Sequence, residues 1–182
     1  NKLEDLPTEI RALIISANVR HFETPEMIEN LFATYKNTPS NDLQNDIAIG
    51  LTSTKNPETA EKILANIKDS NIIRPQDASR WFVYLIRTRE SRQIAWNWLK
   101  ENWAWVEGTF GEDKSYDDFI RYAATALLTP NELDDFRQFF EPMMDIPALT
   151  RTIKLGITEI SARVELIERD KADVLSALQT TL

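Results

Sequence analysis

TPEMIENLFATYKNTPSNDLQNDIAIGLTSTKNPETAEKILANIKDSNIIRPQ, residues 24–76, carries prolines at 25, 39, 57 and 75. With Pro7 added, the first five prolines of the chain are spaced by 18, 14, 18 and 18 residues. Proline breaks a helix from inside, but at the first helical position its missing N–H has no partner to lose. Thr24-Pro25-Glu26, Asn56-Pro57-Glu58 and Thr129-Pro130-Asn131-Glu132 each set a good N-cap residue directly before the proline. The last also has the form of a capping box, with Glu132 three residues after Thr129. Each proline is therefore read as starting a helix.

A helix roughly every 18 residues means a helix pair roughly every 36, the period of helical repeat arrays. Only four glycines occur, at 50, 108, 111 and 156, and strand-type alternation is nearly absent. The pattern predicts helices over 5–20, 25–36, 40–53, 57–69, 75–88, 91–106, 115–127, 130–141, 147–167 and 171–181. Ile10, Leu13, Ile14 and Ala17 make a helical stripe, as do Ile28, Leu31, Phe32 and Tyr35, and Ile63, Leu64 and Ile67. The expected fold is all-α, a curved array of stacked antiparallel helix pairs (an α-solenoid). Residues 1–182 read as one helical domain. EGTFGEDK, 107–114, is the longest connection and the expected flexible, softer junction.

Composition narrows the function. With 21 Lys+Arg against 29 Asp+Glu the net charge is −8, which repels phosphate backbones and disfavours nucleic acid as a partner. The absence of cysteine excludes disulfides, thiolate metal sites and Cys nucleophiles, and fits a reducing compartment. No apolar run approaches the ~18 residues a membrane span needs. No signal-peptide pattern is present, so the expectation is a cytoplasmic protein without a membrane partner. The first residue is Asn1, not Met, which points to processing or to a piece of a longer chain.

Four of the five tryptophans fall in QIAWNWLKENWAW, residues 93–105. On a helix at 100° per residue, Ala95, Leu99, Trp103 and Val106 lie within about 100° of Trp96, whereas Ile94, Trp98 and Trp105 lie at about 160–200°. A stacking platform would gather its aromatics on one exposed face. Two opposed apolar faces describe a helix held between neighbours. Trp96 and Trp103 are expected in the core, and Trp98 and Trp105 in core or inter-repeat packing. Trp81, Tyr84 and Leu85 on the preceding helix are expected to meet the first face.

Catalytic patterns are missing. His21 is the single histidine, and HExxH, GxxxxGK[ST], GxGxxG and GxSxG do not occur. A Ser-His-Asp triad could use only His21, and a conventional zinc site lacks a second His or any Cys, which leaves an all-carboxylate site open. Asp117-Asp118 and Asp134-Asp135 are adjacent, so on a helix they diverge; they suit first turns, where the helix dipole favours acid. One polar cluster stands out: Arg74, Arg80, Arg87, Arg89 and Arg92 in an acidic chain. Arg80 and Arg87 share a helix face, and Arg is the side chain best shaped to grip a carboxylate. They are candidate peptide-contacting residues, set against ordinary salt bridging to the acidic surplus.

IRPQDASRWFVYLIRTRESRQIAWNWLKENW, residues 73–103, resembles the C-terminal domain of the aminopeptidase N family of zinc metallopeptidases, also found in endoplasmic reticulum aminopeptidases. Arg74, Gln76 and Asp77 fill the family's Ile/Val-Arg-x-Gln-Asp start. Ala95, Trp96, Leu99, Asn102 and Trp103 fill its Ala-Trp-x-Phe/Leu-x-x-x-Asn-Trp run. Gln76, Asp77, Trp96, Asn102 and Trp103 are accordingly taken as the family's packing signature. Leu133, Phe139, Phe140, Arg151, Ile160 and Arg163 are similar to its closing helices. RTRESR, 87–92, departs from the Asn and Gly the family more often has before the Arg.

The resemblance implies a HEAT-like or armadillo-like array that arches over an upstream catalytic domain and closes a chamber for peptide substrates. Zinc would sit in that upstream domain, on HExxH and a distant Glu, with no cofactor, metal or catalytic residue in this chain. The implied partners are the upstream domain of the same polypeptide and peptides. The competing reading is a free-standing helical-repeat scaffold that binds a protein partner on its concave face. An HExxH domain encoded upstream of Asn1 would decide between them.

Overall fold

The local caps form as the spacing requires. Thr24 Oγ1 accepts from Met27 N at 3.2 Å and Asn56 Oδ1 from Glu58 N at 3.0 Å. Thr129 Oγ1 accepts from Glu132 N at 3.2 Å, while the Glu132 carboxylate reaches back to Thr129 N at 2.9 Å, closing the capping box. Pro7 and Pro39 depart from the rule. Pro7 is itself the residue before its helix, and Pro39 precedes Ser40, which supplies the cap by accepting from Leu43 N at 3.2 Å.

The computed structural model describes residues 3–112 and 115–181. Its elements are α1 (Thr8–Phe22), α2 (Pro25–Asn37), α3 (Asn41–Leu51), α4 (Pro57–Ile67), α5 (Pro75–Arg87), α6 (Arg92–Glu101), α7 (Trp103–Phe110), α8 (Asp117–Ala126), α9 (Pro130–Phe140) and α10 (Pro147–Thr181). Short 3-10 turns cover Leu3–Asp5 and Glu141–Met143, and no strand occurs among the described residues. The chain forms two compact units, Asn1–Thr109 and Phe110–Leu182. Of the expected connection 107–114, residues 107–110 are helical, and 113–114 lie outside the described residues.

In the first unit α1 and α2 pack on α3, α3 on α5, and α4 on both α5 and α6, which also pack together. Each helix thus meets one to three helices close to it in sequence, the stacking of an α-solenoid. The stripes of α2 (Ile28, Leu31, Phe32, Tyr35) and α4 (Ile63, Leu64, Ile67) are buried. Gly50 sets the closest approach. A Cβ placed there would lie 2.9 Å from Ile15 Cβ on α1, nearer than carbon atoms pack. The same crossing holds an ion pair, Arg11 Nε to Asp46 Oδ2 at 2.7 Å, with Arg11 buried. Glu23, just after α1, accepts from the hydroxyls of Thr54 and Thr59 and so ties the end of α1 to the start of α4.

Three expectations are corrected. On α1 the buried residues are Arg11, Ile15 and Val19, whereas Ile10 is 45% and Leu13 69% exposed. The stripe of Ile10, Leu13, Ile14 and Ala17 therefore turns away from α3. The helix expected over 91–106 divides at Asn102, which leaves helical geometry at φ −112°, ψ 17°. Its side-chain amide donates to Trp98 O at 2.8 Å, the carbonyl that its own backbone N–H also uses. This is the local competition that makes Asn a poor helix interior residue. Conversely, the break expected at 168–170 is absent, because Glu168-Arg169-Asp170 contains neither Gly nor Pro and α10 continues through it.

In the second unit α10 packs along α8 and α9. A Cβ on Gly156 would stand 2.8 Å from Phe136 Cζ and 3.2 Å from Ala124 Cβ. Arg163 Nη1 donates to Ala124 O and Leu127 O, both at 2.8 Å, and so caps the C-terminal end of α8. None of residues 165–180 is buried.

Gly50→Ala should cost about 1–3 kcal/mol through overpacking. Gly108→Ala, at an exposed helical site with nothing within 4 Å of the added methyl, should stabilise by up to about 1 kcal/mol. Urea unfolding of the two variants checks the contrast, and effects of the same sign would contradict it. Arg163→Ala should cost about 1–3 kcal/mol by stripping two carbonyls of their charged donor, read from the same curves.

Candidate functional site

The sequence-predicted residues do not stay together. Arg80 is exposed on the middle turns of α5; Arg87 is exposed on its last turn, about 10 Å further along the axis. Arg89 is exposed in the turn after α5. Arg92 opens α6, with a buried Nε that has no hydrogen-bond partner among the described residues.

Arg74 and Arg80 line a cleft between α3 and α5, with a volume of about 260 Å³. Its other walls include Gln76, Asp77 and Trp81 from α5, Asn41, Gln44, Asn45 and Ala48 from α3, and Tyr35 from α2. Proline at the start of α5 fixes where its first turn begins, and that turn delivers Gln76 and Asp77. Asp77 is buried and binds Arg74 Nε at 2.9 Å. The other end of the Arg74 guanidinium approaches Gln44 Oε1 at 3.4 Å. Gln44 in turn donates to Tyr35 O at 3.1 Å and Thr38 O at 3.4 Å. This network bridges the start of α5 to the α2–α3 connection.

The floor of the cleft is aromatic. Trp81 is fully buried, stacks on Phe32 at 6.0 Å and meets the Tyr35 ring edge-on at 5.1 Å. Trp81 Nε1 donates to the Tyr35 hydroxyl at 3.4 Å. Burial raises the Tyr35 phenol above its ordinary value, against an opposing effect of the Trp81 bond, so the hydroxyl keeps its proton at neutral pH.

Trp96 is completely buried and Trp103 nearly so. Asn102 caps α6 and accepts from Lys68 Nζ at 2.7 Å. Gln76 is exposed and faces the cleft rather than the core. Trp98 and Trp105 are half-buried and meet edge-on at 5.9 Å. Trp98 and Ile94 line a wider groove between α4 and α6, of about 510 Å³. His21 is exposed, and among the described residues no group of His, Cys, Asp or Glu is placed to hold a metal ion.

Sequence reasoning found the arginines but missed Tyr35, Asn41, Gln44 and Asn45. A signal for the last three was present: amides at i, i+3 and i+4 make a polar patch on a helix otherwise patterned for burial.

Comparison with known proteins fits this architecture. Residues 1–162 match the family described as ERAP1-like C-terminal domain. Aminopeptidase N of Lactococcus lactis subsp. lactis is 33% identical over 177 residues, covering 97% of this chain and 21% of that protein. Aminopeptidase N of Lactobacillus helveticus is 32% identical over 178 residues, 98% of this chain and 21% of the relative. Glutamyl aminopeptidase of Bitis rhinoceros is 21% identical over 177 residues, 97% of this chain and 18% of that protein. The chain spans about a fifth of the length of these relatives. It belongs to the ERAP1-like C-terminal domain family, the C-terminal domain of aminopeptidases of the aminopeptidase N type.

Proposed function

We propose that this chain is the non-catalytic C-terminal domain of a zinc-dependent aminopeptidase that removes N-terminal residues from peptides. It caps the catalytic chamber of that enzyme and limits peptide access. The observation that carries this reading is the alignment of nearly the whole chain with about a fifth of enzymes named aminopeptidase N. The described residues hold no ligand set for zinc, so in this reading the metal and the hydrolytic chemistry belong to an upstream domain of the same polypeptide.

The outward face of α1 supports the same conclusion. Ile10 and Leu13 are exposed on the side away from α3, and Phe22 at its end is 70% exposed. A helix that is apolar on both sides suits a neighbour on each, and upstream polypeptide supplies the second neighbour. Arg80 and Arg87 are the side chains proposed to meet the peptide. No helix among the described residues is long and apolar enough to cross a membrane; action on peptides in the cytoplasm completes the reading.

The test is expression of the chain alone and with the sequence that precedes it in its gene. The longer protein should hydrolyse amino-acid amides, with activity lost to a chelator and restored by zinc. The 182-residue chain should show no turnover with or without zinc. Turnover by the chain alone, or an upstream sequence without HExxH, would overturn the proposal. In the full-length enzyme, Arg80→Ala and Arg87→Ala should change kcat/KM for longer peptides more than for single-residue amides; equal changes on both substrates count against a peptide contact. Leu13→Asp should destabilise the full-length protein by about 2 kcal/mol while leaving the thermal midpoint of the isolated chain nearly unchanged.

A further inference from the structure

The odd-numbered helices α1, α3 and α5 pack side by side in the first unit, and α4 packs on α6 in a second layer. Between α4 and α6 lies a groove of about 510 Å³. From α4 and its cap it receives Glu61, Leu64, Ala65 and Lys68. From α6 it receives Ile94, Asn97, Trp98 and Glu101. Both sets run i, i+3, i+4, i+7, so each helix gives one face. Lys68 Nζ donates to Asn102 Oδ1 at 2.7 Å, which brings the C-terminal ends of α4 and α6 together. Counted back from that bond, Glu61 lies seven residues up α4, and Glu101 and Trp98 lie one and four residues up α6. Trp98 therefore falls between the two carboxylates along the groove.

The bonding of these groups is unevenly spent. Lys68 is tied to Asn102, and Asn97 Oδ1 accepts from Gln93 Nε2 at 2.9 Å. Glu61 and Glu101 are exposed, and neither has a hydrogen bond or a cation among the described residues. The Trp98 indole N–H likewise has no acceptor there. The Trp98 ring is half-buried, tilted on Phe82 at 6.1 Å and edge-on to Trp105 at 5.9 Å, so two neighbours fix the direction of its open face.

Charge and shape select the ligand. Two carboxylates against one ammonium leave the groove with one net negative charge, which a monocation balances and an anion opposes. A purely apolar occupant would take both carboxylates out of water without a partner. A metal ion is ill suited, because the described residues nowhere gather a ligand set. Tryptophan is the best aromatic face for a cation, and a guanidinium both stacks on it and donates to carboxylates on either side. Leu64, Ala65 and Ile94 provide apolar surface beside that face. The volume equals roughly seventeen water molecules, room for an arginine side chain and one apolar neighbour.

We propose that the groove between α4 and α6 binds an arginine-bearing peptide segment of a separate protein, with Trp98 stacking on the guanidinium and Glu61 and Glu101 as its counter-charges. The groove belongs to the layer opposite the cleft that holds Arg80, so this site is distinct from the proposed peptide contact there and goes beyond the aminopeptidase reading.

The test titrates the 182-residue chain with acetyl-Leu-Arg-Leu-amide and with the same peptide carrying Lys, Gln or Glu at its centre. Both ends are blocked, so no terminal charge contributes. Calorimetry gives affinity, and NMR of the Trp98 indole N–H gives location. The Arg peptide should bind saturably and shift that signal, with Lys weaker. Gln should be about tenfold weaker, the combined scale of a cation–π contact and exposed ion pairs, and Glu weaker still. Glu61→Gln and Glu101→Gln should each lose about two- to fivefold. Glu107→Gln, on an exposed site of α7 outside the groove, should bind normally. Trp98→Leu should lose threefold or more; the two Glu variants, on exposed side chains, keep the test decisive if that variant unfolds. Equal binding of the Arg and Gln peptides, a Trp98 signal that does not move, or a loss in Glu107→Gln matching that in Glu61→Gln overturns the proposal. So does a Trp98 shift with protein concentration alone, which would place a second copy in the groove. The full-length protein should bind the Arg peptide equally; loss of binding there would place upstream polypeptide in the groove and also overturn it. None of these readings depends on amide hydrolysis.

Discussion

A methyl group does not fit at position 50. Gly50 lets α3 settle against Ile15 of α1 at a distance that no other residue allows, and α3 is the helix on which the first unit is assembled. It touches α1, α2 and α5. Two residues before Gly50, on the side toward α5, Ala48 lines the polar cleft. Small residues on both sides of α3 therefore do two jobs. They allow close helix packing on one side and leave room on the other. The Arg11–Asp46 pair at the same crossing adds directional specificity to a contact that is otherwise apolar.

The second unit uses the same device with different partners. Gly156 admits the Phe136 ring and the Ala124 methyl against α10, and Arg163 fastens the same helix to the end of α8. Close approach at a glycine is followed seven residues later by a charged side chain bound to open carbonyls. Packing sets the distance between helices and the hydrogen bonds set their register.

Most of the helix starts were legible in the sequence because their chemistry is local. A cap acts over two or three residues, so Thr24, Asn56 and Thr129 announce themselves without knowledge of the fold. The exceptions have identifiable causes. Asn102 interrupts a helix through a side-chain bond that competes with the backbone, which an angular count of apolar residues does not register. The Ile10–Leu13 stripe was visible, but which face of α1 meets α3 depends on where Gly50 stands, 35 or more residues away. The cleft was half legible for the same reason. Its arginines cluster in sequence, whereas Tyr35, Asn41, Gln44 and Asn45 reach it only when α3 lies beside α5.

The bare end of α10 sets a different freedom. From residue 165 to 180 no side chain is buried, and the family match stops at 162. Helicity there is sustained by propagation from the packed turns before it, since extending a helix needs no new nucleus. Lengthening or trimming this segment leaves Ile160, Val164 and the Arg163 cap untouched. A cut after Val164 therefore spares the core of the second unit, whereas a cut before Arg163 strips the end of α8 of its cap.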